Sequence, residues 1–415
     1  MECEKNQWWR GTENRRIDLF FLLLLMVYAL ITGVLFYKQT VIQQPNITDM
    51  QDYVSVLNGT WDGRWNFPYP IMFWAARLFR ALTGSPYRGM ALAVTTLNLL
   101  TAVFMKYYME CLVPDVENHA WVRKVLIDAT VFALLFTSMI YLPESVGKNS
   151  WIFQYRYASR IPAGTCNPWH NATFFAARPF IFAPMFAFAR LLQCYEKRMD
   201  WRDGAILSVV LLLATMTKPS FTLVFVSTAG LIMLWRLLRS KFANFKQSVL
   251  LGLCFVPTFI DMLYQAFGLF GGANEADEGI GFGFGKVFRI FSGNIPLSLL
   301  MGSLFPLVVL LYHRTSLRTR GEYRLSWQIW VVGLAEAFFM YQKGFRMDHA
   351  NFLWGYECAL VLVFFTSAIL LVRDTLAPDA KQRCKALAVQ WAALLVHVAF
   401  GICKFISYYD LVLSA

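Results

Sequence analysis

A chain of 415 residues that is 57% hydrophobic and only 15% charged, with a mean hydropathy of +0.46, is too apolar for a water-soluble domain, in which about a quarter of the residues carry charge. Apolar runs of about 20 residues recur from end to end and leave no stretch for a separate soluble unit. The expected class is therefore all-α, a polytopic transmembrane helical bundle forming a single integral membrane domain over 1–415. The formal net charge of +12 is scattered over short loops, which argues against a nucleic-acid surface, and the eight cysteines show no CxxC spacing, which argues against a disulfide framework or a zinc site.

The first span, 17–37, is too long for a signal-peptide core and lacks a small-residue cleavage site, so it reads as a retained anchor. Further apolar segments near 88–108, 125–143, 172–193, 204–217, 220–237, 247–271, 294–313, 326–341, 352–372 and 386–407 bring the number of spans to about eleven. Basic loops such as Arg15/Arg16, Arg123/Lys124, Lys197/Arg198/Arg202 and Arg314/Arg318/Arg320 alternate with loops poorer in Lys and Arg. The positive-inside rule then puts the N-terminus in the cytoplasm of a cell whose plasma membrane holds the chain. The segments 38–87, 144–171, 217–220, 272–293 and 342–351 fall outside, and they hold nearly every polar cluster with chemical potential.

In 38–87, three carboxylates (Asp49, Asp52, Asp62) and Arg64 precede an apolar run at 69–82 broken by Arg77 and Arg80, a spacing that predicts a helix lying in the membrane interface. An acidic loop held against the bilayer in this way is a candidate reaction centre. The next outer segment ends Trp169-His170-Asn171-Ala172-Thr173. His170 and Arg178 are eight residues apart, just over two helical turns, so both project toward one site if a helix starts near Asn171. An Arg just inside a span is costly unless it is paired or lines a cavity; the plainer alternative is a snorkelling Arg178 and a capping His170. Lys218-Pro219 joins two spans with no other polar linker, either as simple hairpin chemistry or as an ammonium poised for a lipid phosphate.

The glycine-rich segment 272–293 carries Glu275, Asp277 and Glu278 ahead of Lys286 and Arg289. It is not a phosphate-binding loop, because Val287 follows Gly285-Lys286 and no strand precedes it; its glycines suit a mobile lid or a segment with no role. The last outer loop places Lys343, Arg346, Asp348 and His349 ahead of a span that contains Glu357, and Asp261 and Glu336 lie inside earlier spans. Carboxylates at such depth pair or act, and for Glu357 pairing with Arg178 or Arg346 is the structural alternative. The sequons at Asn46, Asn58 and Asn171 all fall on the outer side, while HExxH, GxSxG, CxxCH and paired metal carboxylates at helical spacing are absent.

No nucleotide reaches an outward-facing site, so an activated donor has to arrive as a lipid phosphate. A carboxylate beside an acceptor hydroxyl then serves as general base, and cations neutralise the departing phosphate. At these residues the sequence resembles the GT-C superfamily of polytopic membrane glycosyltransferases, which includes protein mannosyltransferases and the aminoarabinose transferases of lipid A. Members of that group carry a catalytic Asp in the first outer loop, in a pattern like Asp-Glu-x-x-Tyr, followed by amphipathic interface helices. The counterpart here is Asp49-Met50-Gln51-Asp52-Tyr53 followed by 69–82, with Met50 at the second acidic position, so the base is Asp49 or Asp52. Lys218-Pro219 and the stretch from Asn167 to Phe180 look like segments of uncharacterised bacterial members.

The resemblance implies transfer of a sugar from a polyprenyl-phosphate donor to a lipid, glycan or protein acceptor hydroxyl. Arg178, Lys218 and Arg346 would hold the donor phosphate with help from His170 and His349, and Tyr53, Asp348 and Glu357 would line the cavity. No cofactor is expected, with a divalent metal left open. Two rival classes remain. A lipid-linked-sugar flippase should show inverted repeats and polar groups on both sides of the membrane, whereas the halves show no repeat and the polar groups are skewed outward. A non-catalytic scaffold would make the 17% aromatic content an interface belt and nothing more.

Overall fold

The segment Leu353–Thr375 is apolar on every face, and a helix of that kind has to be enclosed by others. The computed structural model describes residues 18–42, 47–63, 66–116, 120–140, 168–270, 279–292 and 294–415, without the side chains at 269, 270, 345, 346 and 348. In it every residue from 353 to 372 is buried. In chain order the elements are α1 (Leu19–Val41), α2 (Met50–Asn58), α3 (Ile71–Thr83), α4 (Pro86–Leu112), α5 (Ala120–Phe136), α6 (Ala172–Cys194), α7 (Trp201–Thr217) and α8 (Pro219–Arg239). Then come α9 (Phe245–Leu253), α10 (Val256–Phe270), β1 (Ile280–Phe282), α11 (Phe288–Phe291), α12 (Ile295–Tyr312), α13 (Ser316–Thr319), α14 (Gly321–Phe339) and β2 (Met340–Gln342). A 3-10 turn (Gly344–His349), α15 (Leu353–Thr375) and α16 (Cys384–Ser414) complete the described chain. The buried axis is α15, packed by α4, α5, α6, α8, α12, α14 and α16.

Among the described residues, α1, α4, α6, α8, α12, α15 and α16 are long and apolar enough to cross a membrane, and α9 with α10 adds an eighth span if their 47° bend falls within one crossing. The chain is an all-α polytopic membrane bundle, with one short ribbon of two strands. Each of the eleven apolar segments read from the sequence contains a helix, but three fall short of the span criteria. Helices α5 and α7 have 17 residues each, about 25 Å of helix against a hydrocarbon core of about 30 Å. Helix α14 has 19 residues and carries Glu322, Arg324 and Glu336.

The amphipathic helix expected over 69–82 is α3, closed by Gly84 in the left-handed region. Met72, Phe73 and Ala76 face inward, while Trp74, Leu78 and Leu82, four residues apart, stay exposed as an apolar stripe beside Arg77 and Arg80. Gly89 lets α3 lie directly on α4, since a Cβ there would stand 2.8 Å from the Ala76 carbonyl oxygen. Of the segment read as a lid, 272–293, residues 272–278, with Glu275, Asp277 and Glu278, and residue 293 lie outside the described residues. In the described part β1 pairs antiparallel with β2, Ile280 opposite Gln342 and Phe282 opposite Met340.

Two polar devices fasten the bundle internally. Helix α12 breaks at Ser303, one turn ahead of Pro306, which leaves an amide and a carbonyl without helical partners. The Phe305 amide donates to His397 Nε2 at 3.2 Å, and the Met301 carbonyl accepts from the Ile140 amide at 3.2 Å. His397 Nδ1 meets the Ser138 carbonyl at 2.6 Å, which fixes a neutral imidazole with its proton on Nδ1. At the opposite end from α2, Lys106 gathers Asp18 (2.7 Å), Glu110 (3.0 Å) and the fully buried Asp128, tying the start of α1 to the end of α4 and the middle of α5. Arg123 caps the last carbonyls of α4, donating to Glu110 and Val113 at 2.8 and 2.7 Å.

Gly355, in the first turn of α15, decides how close α8 comes. A Cβ there would lie 2.5 Å from Val224 and 2.7 Å from the Ser220 carbonyl oxygen, part of a backbone that has no room to move. Gly355→Ala is expected to cost about 1–3 kcal/mol of overpacking. Gly230→Ala, in the interior of α8 with nothing within 4 Å of the added Cβ, is expected to be neutral or stabilising by up to ~1 kcal/mol. Thermal unfolding in detergent separates the two variants.

Candidate functional site

The site grows from the way α6 and α8 begin. Asn171 is the N-cap of α6: its side-chain Oδ1 accepts from the Phe174 amide at 2.9 Å and from the Thr173 hydroxyl at 2.7 Å. That fixes the orientation of the amide, so its NH2 must face the other way. There Nδ2 donates to Asp49 Oδ2 at 2.8 Å. On the Oδ1 side stands the Lys218 ammonium, 3.3 Å from Asn171 Oδ1 and 2.7 Å from Thr173 Oγ1, and lying over the Trp354 ring at 4.3 Å from its centroid. One amide thus connects a carboxylate to an ammonium.

Each member is placed by its backbone. Lys218 is the whole linker between α7 and α8: an extended residue (φ −163°, ψ 117°) with Pro219 at the first helical position behind it. Asp49 is the N-cap residue of α2 and is fastened to the start of α6 from outside it. Its amide donates to the His170 carbonyl at 3.4 Å, which also accepts from the Thr48 hydroxyl at 3.0 Å. Behind this, the Tyr408 hydroxyl donates to the Ile47 carbonyl at 3.0 Å, and Gln39 donates to the Trp169 carbonyl and to Tyr408. The N-termini of α6, α8 and α15 meet at Asn171, Lys218 and Trp354, three positive dipole ends that favour an anion at this point.

Burial pushes the Asp49 carboxyl up to about 6, assisted by the nearby Asp52 charge and opposed by Lys218, Asn171 and Tyr53. Burial also brings Lys218 down to about 8. Near neutral pH, then, the carboxylate is ionised and the ammonium protonated, each with little margin. The buried Tyr53 hydroxyl reaches Asp49 and Thr173, and burial together with the Asp49 charge holds it well above the ordinary phenol range. Its ring packs edge-on against Phe67 and Phe73, which joins α2 to α3.

Of the residues singled out in the sequence, Asp49, Asp52, Tyr53, His170 and Lys218 come together. His170 does so as a neutral group: burial first, then the Lys404 and Lys218 charges, bring its imidazole down to about 3, so it contributes a carbonyl and a ring face but no positive charge. Arg178 lies seven residues below Asn171 on the same face of α6, about 10 Å deeper. It is buried against the Phe174 and Phe175 rings and borders a small cavity with Met105, Thr137 and Phe364. Glu357 is likewise buried, one turn into α15. His349 is exposed on the 3-10 turn that also carries Arg346 and Asp348, whose side chains lie outside those described. Among the described residues, no three His, Cys, Asp or Glu side chains group in a way that could hold a metal ion.

Asn171, Thr173 and Trp354 are the members that sequence reasoning missed. The first two had been visible only as the sequon Asn171-Ala172-Thr173 and as the start of a helix, and both are buried ligands of Lys218.

No family model matches the chain, and no curated protein matches it. Among solved structures, it is similar to the crystal structure of ArnT from Cupriavidus metallidurans bound to undecaprenyl phosphate, at 12% identity and a TM-score of 0.48, over 95% of this chain and 76% of that one. It is also similar to the same protein in the apo state, at 11% identity and a TM-score of 0.47, with the same coverage.

The shifts of Asp49 and Lys218 set a pH dependence of stability. The folded chain holds the Asp49 proton more tightly than the unfolded one, so between pH ~4 and ~6 stability falls as pH rises. It releases the Lys218 proton more readily, so between pH ~8 and ~10.5 stability rises with pH. Asp49→Asn is expected to flatten the acid-side slope and, by removing a charge that raises Lys218, to start the alkaline rise at lower pH, as read from unfolding midpoints across pH.

Proposed function

We propose that the protein is a membrane glycosyltransferase of the GT-C type, moving a sugar from a polyprenyl-phosphate donor to an acceptor hydroxyl. The observation that carries this reading is the pairing of Asp49 with Lys218 across Asn171 where three helix N-termini converge, beside an interface helix. A base and an anion site at the edge of the bilayer are what a lipid-phosphate donor and a water-borne acceptor require together. Asp49, poised near neutral, takes the proton of the acceptor hydroxyl as its oxygen bonds to the sugar carbon. The bond from that carbon to the phosphate oxygen breaks, and polyprenyl phosphate leaves with its charge stabilised by Lys218 and the dipoles of α6, α8 and α15. Asp52 raises the Asp49 pKa and so tunes the base.

This end of the bundle lies opposite the basic α6–α7, α8–α9, α12–α14 and α15–α16 connections, which supports an extracytoplasmic site and a cytoplasmic N-terminus in the plasma membrane. The flippase reading finds no comparable support, because the groups joined here sit at one end of the helices and not at the midplane.

Asp49→Asn is expected to lower transfer about 10²–10⁴-fold with the fold retained, whereas Asp52→Asn, which removes only a neighbouring charge, should lose much less and shift the acid limb downward. For the native protein, kcat/KM against pH should be bell-shaped, rising through about 6 and falling through about 8. Lys218→Arg should carry the alkaline limb upward. A transfer assay with purified protein and a polyprenyl-phosphate sugar measures all three, and wild-type turnover by Asp49→Asn would sink the proposal.

A further inference from the structure

The ribbon of β1 and β2 has two unlike faces. Gly281 and Gly283 turn toward Tyr341: a Cβ on Gly281 would lie 2.5 Å from the Tyr341 ring and one on Gly283 3.3 Å from it, so the ring lies flat across this face. Lys286 Nζ covers the ring from beyond, 4.1 Å from its centroid. The opposite face alternates with the strand period of two and presents Ile280, Phe282 and Phe284, which are 46%, 76% and 66% exposed. An aromatic row of this kind is not covered by any described part of the chain.

Its surroundings identify what covers it. Phe284 packs on Phe338 and Phe339 at 4.5 and 5.9 Å, so the row continues the last turn of α14. That helix exposes Val331, Ala335 and Phe339 at intervals of four, a flank that faces lipid. Lys286, Arg289 and Lys343 are exposed on the same ribbon and its two flanks, the arrangement of an interfacial anchor with cations at the headgroup level and apolar rings below. We infer that the ribbon is a membrane-binding element: Ile280, Phe282 and Phe284 enter the leaflet on the side of the candidate site, and Lys286, Arg289 and Lys343 hold the phosphates of anionic lipids there.

The ribbon is coupled to the site. Gln342 in β2 accepts a hydrogen bond from Asn351, three residues before the Trp354 that lies under Lys218. Lipid capture by the ribbon therefore fixes the start of α15 from outside. The inference stands on the ribbon's own geometry and holds whether or not the chain transfers sugar.

The test places the photoreactive p-benzoylphenylalanine at position 282 of the full chain, in vesicles of equal parts phosphatidylglycerol and phosphatidylcholine. At 76% exposure the added ring does not enter the core. Irradiation followed by intact-mass measurement should yield a lipid adduct enriched in phosphatidylglycerol. Lys286→Gln and Lys343→Gln should each reduce that enrichment about fivefold, the equivalent of ~1 kcal/mol per basic residue near an anionic surface. A cross-link to a second copy of the chain, an unmodified mass, or an adduct indifferent to both substitutions each overturns the inference. The nitrile stretch of p-cyanophenylalanine at the same position gives an independent reading: a dehydrated frequency in vesicles supports insertion, and a hydrated one overturns it.

Discussion

The architecture turns on how an ammonium is kept in an apolar place without being neutralised. Lys218 sits at a one-residue junction between two helices, where water is scarce and a bare charge would be costly. Its partners are the amide oxygen of Asn171, the hydroxyl of Thr173 and the face of Trp354, all without formal charge. The carboxylate that could have neutralised it stands one amide away. The positive charge is therefore solvated by the protein but not cancelled, and remains available to an anion.

The opposite end of the bundle handles the same problem differently. Lys106 is surrounded by Asp18, Glu110 and Asp128, and Lys124 adds a second cation to Asp18 at 3.3 Å. Arg383 likewise shares Asp374 and Asp379. There each cation is paired directly with carboxylates, which outnumber the cations and tie the helices together. Comparing the two ends gives a physical criterion for separating site from scaffold: buried cations are common to both, and what distinguishes the candidate site is coordination by neutral oxygens with the carboxylate held at one remove.

Much of the fold was legible because a membrane leaves the backbone few choices. Each of the eleven apolar runs holds a helix, the run at 247–271 two, and the amphipathic run at 69–82 became α3, since both follow from periodicity and length alone. Asp49, Asp52, Tyr53 and Lys218 were legible as polar residues at helix tips. Their meeting was expected only from the family resemblance, and the link between them was not legible, because the contacts join positions 122 and 47 residues apart through an asparagine whose local sequence reads as a glycosylation signal. Trp354 was not singled out, since nothing local marks an aromatic at the start of a span as the partner of a cation. Arg178 was legible as a costly buried cation, but sequence carries no depth coordinate fine enough to tell the mouth of the bundle from about 10 Å below it. The clasp of His397 on the broken α12 left no trace either, since one histidine in an apolar run says nothing about which amide it will receive.

The two halves of the site differ in how firmly they are held. Lys218, Asn171 and Trp354 belong to α8, α6 and α15, and Gly355 brings α8 and α15 so close that their relative position has little freedom. Asp49 precedes instead the nine-residue α2, which packs on α1 and α4 and meets that frame through the His170 carbonyl and, by way of Tyr53, aromatic contacts to α3. The cation is built into the wall, and the carboxylate is carried by a short helix laid against it. In the transfer proposed above, the acceptor would meet the carboxylate on the short helix and the lipid phosphate the cation in the wall, and the amide of Asn171 is the group that joins the two.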